Sequence, residues 1–287
     1  MNILGKRKIW YSISSTLLLL GLLFIIINGL NFGIDFLGGS LLEFQFDKKI
    51  SNEQVRNVLQ DVDIAADSKI QQTREEGING VLIRTKELSN DDIVSIKKAL
   101  KKAFPSTETL RTKMVGPVIG QELRSKALWA LLVASIAIVI YISIRFEFRF
   151  AIVAIITLLH DVLITLGAFA ILGREINTPF VAALLTIIGY SINDTIVIFD
   201  RIRENMKTMY QKSFLELANQ AVIDTLPRSI NTSLTTLVTI LAIYFFGGAS
   251  IQIFMLALFI GMFAGTYSSI FVASPLLVTW QEKVPSN

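Results

Sequence analysis

The sequence predicts an α-helical membrane protein with six transmembrane helices. One small α+β domain of ferredoxin-like strand order is inserted between helices one and two. Three observations predict it. Apolar residues make up 52% of the 287 residues and mean hydropathy is +0.57, more than an ordinary soluble domain carries. These residues gather into stretches with little or no charge, and a helix needs roughly 20 such residues to cross a bilayer. Residues 35–125 instead turn polar, with the short periods of strands and amphipathic helices.

The elements follow in order. Residues 1–8 are a basic N-terminus with Lys6, Arg7 and Lys8. Residues 9–34 are the first span. It exceeds a signal-peptide core and lacks a small-residue cleavage site before polar chain, so it reads as a retained helix. Within 35–125, residues 41–46 alternate like a half-buried strand. Ser51 and Gln54 make a capping box that opens a helix with Val55, Val58 and Leu59 on one face. Strands are expected at 68–73 and 80–85, around a polar turn at 75–79. A second amphipathic helix runs over 89–103, with Ile93, Ile96, Ala99, Leu100 and Ala103 at helical spacing, and Pro105 ends it. Residues 110–115 are the last strand. The order β-α-β-β-α-β is the ferredoxin-like pattern.

The remaining spans are 126–144, 150–173, 177–199, 228–247 and 250–280, with a turn at Gly247-Gly248-Ala249-Ser250. Residues 200–227 read as an interfacial amphipathic helix or helix pair, and 281–287 as a tail. Lys and Arg in short loops set orientation. The N-terminus, the second-to-third link (Arg145, Arg149) and the fourth-to-fifth link (Arg201, Arg203, Lys207, Lys212, Arg228) are basic. The opposite loops hold only Arg174. Both termini are therefore expected in the cytoplasm and the 35–125 domain outside.

Composition removes whole classes of chemistry. There is no cysteine, so no disulfide or thiolate. A single histidine argues against a His-based metal site. A net charge of +4 in a membrane protein reflects loop placement rather than a nucleic-acid partner. No Ser/His/Asp triad, phosphate loop or zinc spacing occurs. No metal and no bound cofactor are expected.

Asp194 carries the strongest functional signal. It lies in an otherwise uncharged span, where a carboxylate costs roughly 2.5–3.5 kcal/mol on the insertion scale. A carboxyl taken out of water holds its proton more tightly, so it can load and release one. The alternative is interhelical glue shared with Asn193 and Ser191, a role that needs no ionisable group. Asp194 precedes Arg201 by seven residues, which sets it roughly 10 Å inside the cytoplasmic edge. Arg228 begins the fifth span after Pro227. It is either a counter-charge for Asp194 or a snorkelling anchor. The run after it, with Asn231, Thr232, Ser233, Thr235 and Thr236, is too polar for lipid, so that stretch is expected to face protein or a wet path. His160-Asp161, in the middle of the third span, fits equally a titratable pair in the same path or a satisfied hydrogen-bond pair. Gly38, Gly39, Gly116 and Pro117 flank the external domain and read as hinges. Gly261 and Gly265 are spaced for close helix contact.

Five runs carry a resemblance. They are Gly33-Ile34-Asp35-Phe36-Leu37-Gly38-Gly39, Gly116-Pro117-Val118-Ile119-Gly120, Leu159-His160-Asp161, Ser191-Ile192-Asn193-Asp194-Thr195 continuing to Asn205, and Arg228-Ser229-Ile230-Asn231-Thr232-Ser233-Leu234-Thr235-Thr236. Together they resemble the SecF family of bacterial protein-export membrane subunits, within the RND-type superfamily of proton-driven pumps. The resemblance implies a SecD-like partner subunit, association with the SecYEG channel, a translocating preprotein as cargo, and the cytoplasmic (inner) membrane as location. It implies proton conduction through the positions of Asp194 and Arg228, with a further carboxylate from the partner; Na⁺ stays open as coupling ion. Membrane lipids are the remaining contacts. Three other classes share parts of the pattern. They are a proton-coupled exporter of small molecules or lipids, a non-conducting scaffold for a channel, and an intramembrane hydrolase resting on His160-Asp161 alone.

Overall fold

The computed structural model describes residues 2–64, 68–75, 78–208 and 211–283. Met1, residues 76–77 of the expected polar turn, residues 209–210 of the expected amphipathic segment and residues 284–287 of the tail lie outside that set. Two compact units result, Phe32–Leu128, and Met1–Asn31 with Trp129–Asn287. Among the described residues six helices are long and apolar enough to cross a membrane.

Helix α1 (Arg7–Asn28) ends at Gly29, whose φ of +69° suits glycine. The first span is therefore shorter than 9–34. In the small unit, a short α2 (Ile34–Leu37) leads into β1 (Gly39–Phe46), α3 (Asn52–Gln60), β2 (Lys69–Glu75), β3 (Ile78–Thr85), α4 (Asn90–Ala103) and β4 (Glu108–Val115). The sheet order is β2-β3-β1-β4, antiparallel throughout, the ferredoxin-like arrangement. Strand period decides what is buried. Leu42, Phe44 and Phe46 face Val55, Leu59, Ile93, Ile96 and Leu100 of the two helices. Leu41 and Leu82 on the other face meet Ile34, Val115 and Leu123. Ser51 and Gln54 form the expected capping box. Ser89 and Asp92 form a second one, a signal in the sequence that went unread. Two buried acids in this unit are paired, Asp35 with Lys113 at 2.7 Å and Glu43 with Arg111 at 3.3 Å.

The membrane unit continues with α5 (Pro117–Arg145), whose first turns belong to the small unit. Then come α6 (Phe148–Leu172), α7 (Thr178–Thr208), α8 (Phe214–Phe246), α9 (Ala249–Ser268), a five-residue π turn (Ser269–Ala273) and α10 (Ser274–Lys283). Helices α6, α7 and α9 form the interior. Helices α1 and α5 expose Leu17, Leu20, Leu132, Ile136 and Ile140, as a lipid-facing surface requires.

Three expected boundaries need correction. The second span begins at Pro117 rather than 126, because proline suits the first helical turn and Glu122, Arg124 and Lys126 extend the helix beyond its apolar run. No separate amphipathic segment occupies 200–227. Helix α7 runs on to Thr208, and α8 starts at Phe214 under a capping box of Ser213 and Glu216. Pro227 therefore sits inside α8 instead of starting it. It removes one backbone bond, a loss that neighbouring helices make tolerable. The two extensions pack side by side through Arg201 and Asp224 at 2.6 Å and Asn205 donating to the Leu217 carbonyl. Finally, 250–280 is not one regular helix, since the π turn interrupts it.

Candidate functional site

The interior of the membrane unit is built on missing side chains. A Cβ at Gly265 would lie 2.9 Å from Ser191 Cβ, and one at Gly261 would run into the Ile187 side chain. Between α1 and α6, a Cβ on Gly167 would come within 2.6 Å of the Gly21 backbone. Without hydrophobic drive between helices in lipid, such close approach and hydrogen bonding hold the bundle together.

Close approach brings hydroxyls onto Asp161, which is 1% exposed. Ser191 donates to its Oδ2 at 2.5 Å and Ser268 at 2.8 Å. His160 Nδ1 pairs with its Oδ1 at 2.9 Å. A buried carboxylate needs such donors to offset lost hydration. The His160 ring stacks on Tyr267 with centroids 6.4 Å apart, and its Nε2 has no partner among the described residues. One turn along α7 from Ser191, Thr195 meets Ser269 at 2.8 Å. Ser233 of α8 meets Thr266 of α9 at 2.7 Å. Ser268 and Ser269, consecutive and so about 100° apart around the helix, serve different neighbours, Asp161 and Thr195.

Asp194 lies on the inner side of α7, 5% exposed. Ser233 and the charge of Arg228 act on it, yet its Oδ2 has no hydrogen-bond partner among the described residues. The charge of Arg228 reaches Asp194, with no ion pair between them among the described residues. Arg228 is exposed on α8, as are Asn231, Thr232 and Thr235. Of the polar run expected to face protein or a wet path, Ser233 is buried and Thr236 half-buried, while Asn231, Thr232 and Thr235 are uncovered within this chain.

The structure thus brings Asp194, Ser191, Asp161 and His160 into one connected interior and leaves two candidates out. Asn193 is exposed, since 100° per residue turns it off the face that Asp194 shares with Ser191, and Asn231 is exposed on α8. Sequence reasoning missed Ser268, Ser269 and Thr266. Their signal was a cluster of small and hydroxyl residues, Gly265-Thr266-Tyr267-Ser268-Ser269, inside an apolar span.

The hinge candidates lie inside the small unit rather than at its borders. Gly38 (φ +77°) is glycine because a Cβ would sit 3.0 Å from Pro117 Cα, and a Cβ on Gly39 (φ +123°) would meet the Thr85 carbonyl oxygen at 2.5 Å. A Cβ on Gly120 would lie 2.9 Å from Gly38 nitrogen. Gly38 and Gly120 bring the start of β1 close against the start of α5, and Gly39 lies close against β3.

Comparison with known proteins adds the following. Residues 95–283 match the family model described as protein export membrane protein SecD/SecF, C-terminal. Residues 23–50 match the SecD/SecF GG motif. The protein translocase subunit SecF of Thermobaculum terrenum is 42% identical, over 99% of this chain and 95% of its own length. That of Haemophilus influenzae is 41% identical over 93% and 82%. The protein translocase subunit SecDF of Bacillus subtilis is 38% identical over 96% of this chain, which spans only 38% of the longer protein. The crystal structure of SecDF, a translocon-associated membrane protein from Thermus thermophilus, matches 98% of this chain at 36% identity with a TM-score of 0.91. This chain spans 39% of that one. A SecDF structure in a super-membrane-facing form matches with a TM-score of 0.72.

Proposed function

This chain belongs to the SecF branch of the SecD/SecF family of protein-export membrane proteins, and from that premise we propose that it couples the proton gradient to preprotein translocation. It is a multi-pass protein of the cytoplasmic membrane, and its relatives are named for transport rather than catalysis. The proposed assembly contains a SecD-like subunit, with which related chains occur as one SecDF polypeptide. The proposed setting is the SecYEG channel with an emerging preprotein, both termini in the cytoplasm and the small unit outside.

One observation carries this reading. Asp194 is a 5% exposed carboxyl, one of whose oxygens has no hydrogen-bond partner among the described residues, and the charge of Arg228 acts on it, inside helices bound by hydroxyl contacts. A buried ionisable group in a membrane is expensive and marks ion or proton movement. Proton arrival neutralises Asp194 and releases its attraction to Arg228, so the packing of α7 on α8 changes with charge. One charge crossing 100 mV supplies about 2.3 kcal/mol, enough to shift a two-state helix packing. The exposed stripe of Arg228, Asn231, Thr232 and Thr235 is unsuited to lipid. A SecD-like subunit covering it would enclose Arg228 next to Asp194 and add any further acid of the path.

Asp194→Asn tests the proposal. In inverted membrane vesicles the variant is expected to assemble with its partner and to lose the gradient-dependent part of export. Export that still responds to the gradient in that variant overturns the proton role.

A further inference from the structure

Helices α1 and α6 touch backbone to backbone at Gly21 and Gly167. Toward the N-terminal ends of both, a cavity of about 450 Å³ lies between α1, α6 and the π turn with α10. Its walls are mainly apolar, with Leu18 from α1, Ile156 and Leu163 from α6, and Leu276 from α10. Ile156 and Leu159 on its rim are 44% and 58% exposed, so the cavity opens on the outer surface of the membrane unit. Its volume falls in the range of ligand sites, roughly 300–1,000 Å³. An apolar cavity of that kind takes an apolar occupant rather than water, and in a bilayer the apolar occupant at hand is a lipid chain.

The three helices reach the same membrane face at their charged ends. Arg7 pairs with Glu282 at 2.6 Å, Arg149 donates to Gln281, and Tyr11 bonds Thr279 at 2.8 Å. Each wall then repeats one pattern. Residues seven apart on an α-helix differ by only about 20° in direction and by about 10 Å in depth. Lys8 stands seven residues from Ser15, Arg149 seven from Ile156 and Lys283 seven from Leu276, in each case toward that face. All three walls therefore carry a cation two turns out from the cavity. Lys8 and Lys283 are exposed, and Glu282, the acid next to Lys283, is held by Arg7. Lys6 stands seven residues from Ile13, which is not a wall residue.

One basic residue at a helix end is an ordinary anchor. Three, each on the face that lines one apolar cavity, have the layout of a lipid with a negative head. We propose that this cavity holds one anionic glycerophospholipid, an acyl chain between α1 and α6 and its phosphate over Lys8, Arg149 and Lys283. Basic pockets between membrane helices recognise such headgroups. The step of about 10 Å from cations to walls separates a head at the interface from a chain in hydrocarbon. Tyr11, one turn in from Lys8, stands between the two zones, where amphipathic rings belong. A zwitterionic head would bring its own ammonium among three cations, so the site selects net negative charge. The proposal is independent of the proton role of Asp194.

The test uses the full chain, delipidated in detergent and titrated with phosphatidylglycerol or phosphatidylethanolamine of matched chains, with bound lipid read by native mass spectrometry. Phosphatidylglycerol is expected to bind the more tightly. Lys8→Gln and Lys283→Gln should each weaken it about fivefold, the worth of one basic residue near a membrane surface. Lys6→Gln removes the same charge off the cavity face and should change affinity less than twofold. Leu163→Trp fills the cavity and should abolish tight binding. Equal affinity for the two lipids overturns the proposal. So does an equal loss in Lys6→Gln and Lys8→Gln, which would mark a diffuse surface attraction, and so does unchanged binding in a Leu163→Trp chain. Should Leu163→Trp fail to fold, the comparison of Lys8→Gln with Lys6→Gln decides by itself.

Discussion

The two units of this protein are held together by opposite means. The small unit buries Leu42, Phe44, Phe46, Ile96 and Leu100 from water. The membrane unit keeps Ser191, Ser268, Ser269, Asp161 and His160 in its interior and shows leucine and isoleucine to the outside. The solvent explains the inversion. In water, apolar burial drives folding. In lipid, apolar side chains gain little by meeting each other, and small residues with hydrogen bonds supply the cohesion. That gathers hydroxyl-bonded carboxyl chemistry in the interior of the membrane unit, whereas the buried acids of the small unit, Asp35 and Glu43, are each paired with a basic side chain that reaches solvent.

The largest test of the contrast lies in the small unit. Phe44→Ala should cost about 3–5 kcal/mol there by leaving a cavity. Hydrogen exchange of the full chain in nanodiscs should show faster exchange over the strands with α6, α7 and α9 unchanged. Next, Gly261→Leu drives a side chain into Ile187 and should cost about 1–3 kcal/mol, read as a lower thermal midpoint of the membrane unit. Equal loss in both units would break the comparison. Ser268→Ala removes one of three partners of Asp161 and should cost about 0.6–1.7 kcal/mol, with Ser191 and His160 still bonded. The smallest effect is electrostatic. Backbone and hydroxyl bonds from Ser89 hold the Asp92 carboxyl below its ordinary value. The folded group is the stronger acid, so its contribution is present above the ordinary aspartate range. It fades as pH falls through the lowered value. Amide exchange at the start of α4 should quicken on acidification below that range, and Asp92→Asn should abolish the pH dependence.

Much of the fold was readable before any coordinates. Six apolar stretches announced six spans, the alternation at 41–46 announced β1, and Ser51 with Gln54 announced the start of α3. The misreadings have one cause. A charge-free window marks where hydrocarbon is tolerated, not where a helix stops, so α5 starts early and α7 and α8 run past their apolar parts. Pro227 was read as a boundary because proline removes a backbone donor, a loss that packed neighbours make bearable. The glycines at 38 and 39, which read as hinges, also serve close backbone contact.

By itself the sequence determined that this chain enters a membrane, that Asp194 sits in it at a cost, and that a ferredoxin-like unit interrupts the spans. These follow from composition and period, which are local properties of the chain. Only the tertiary structure decided which side chains meet. It joined Asp161 to Ser191 and Ser268, turned Asn193 and Asn231 outward, and set the charge of Arg228 where it acts on Asp194 with no ion pair between them among the described residues. Those relations depend on helix rotation and on approach distances set by Gly261 and Gly265 against Ile187 and Ser191. One residue of rotation changes a facing side chain by 100°, and no local pattern encodes the neighbour it will then meet.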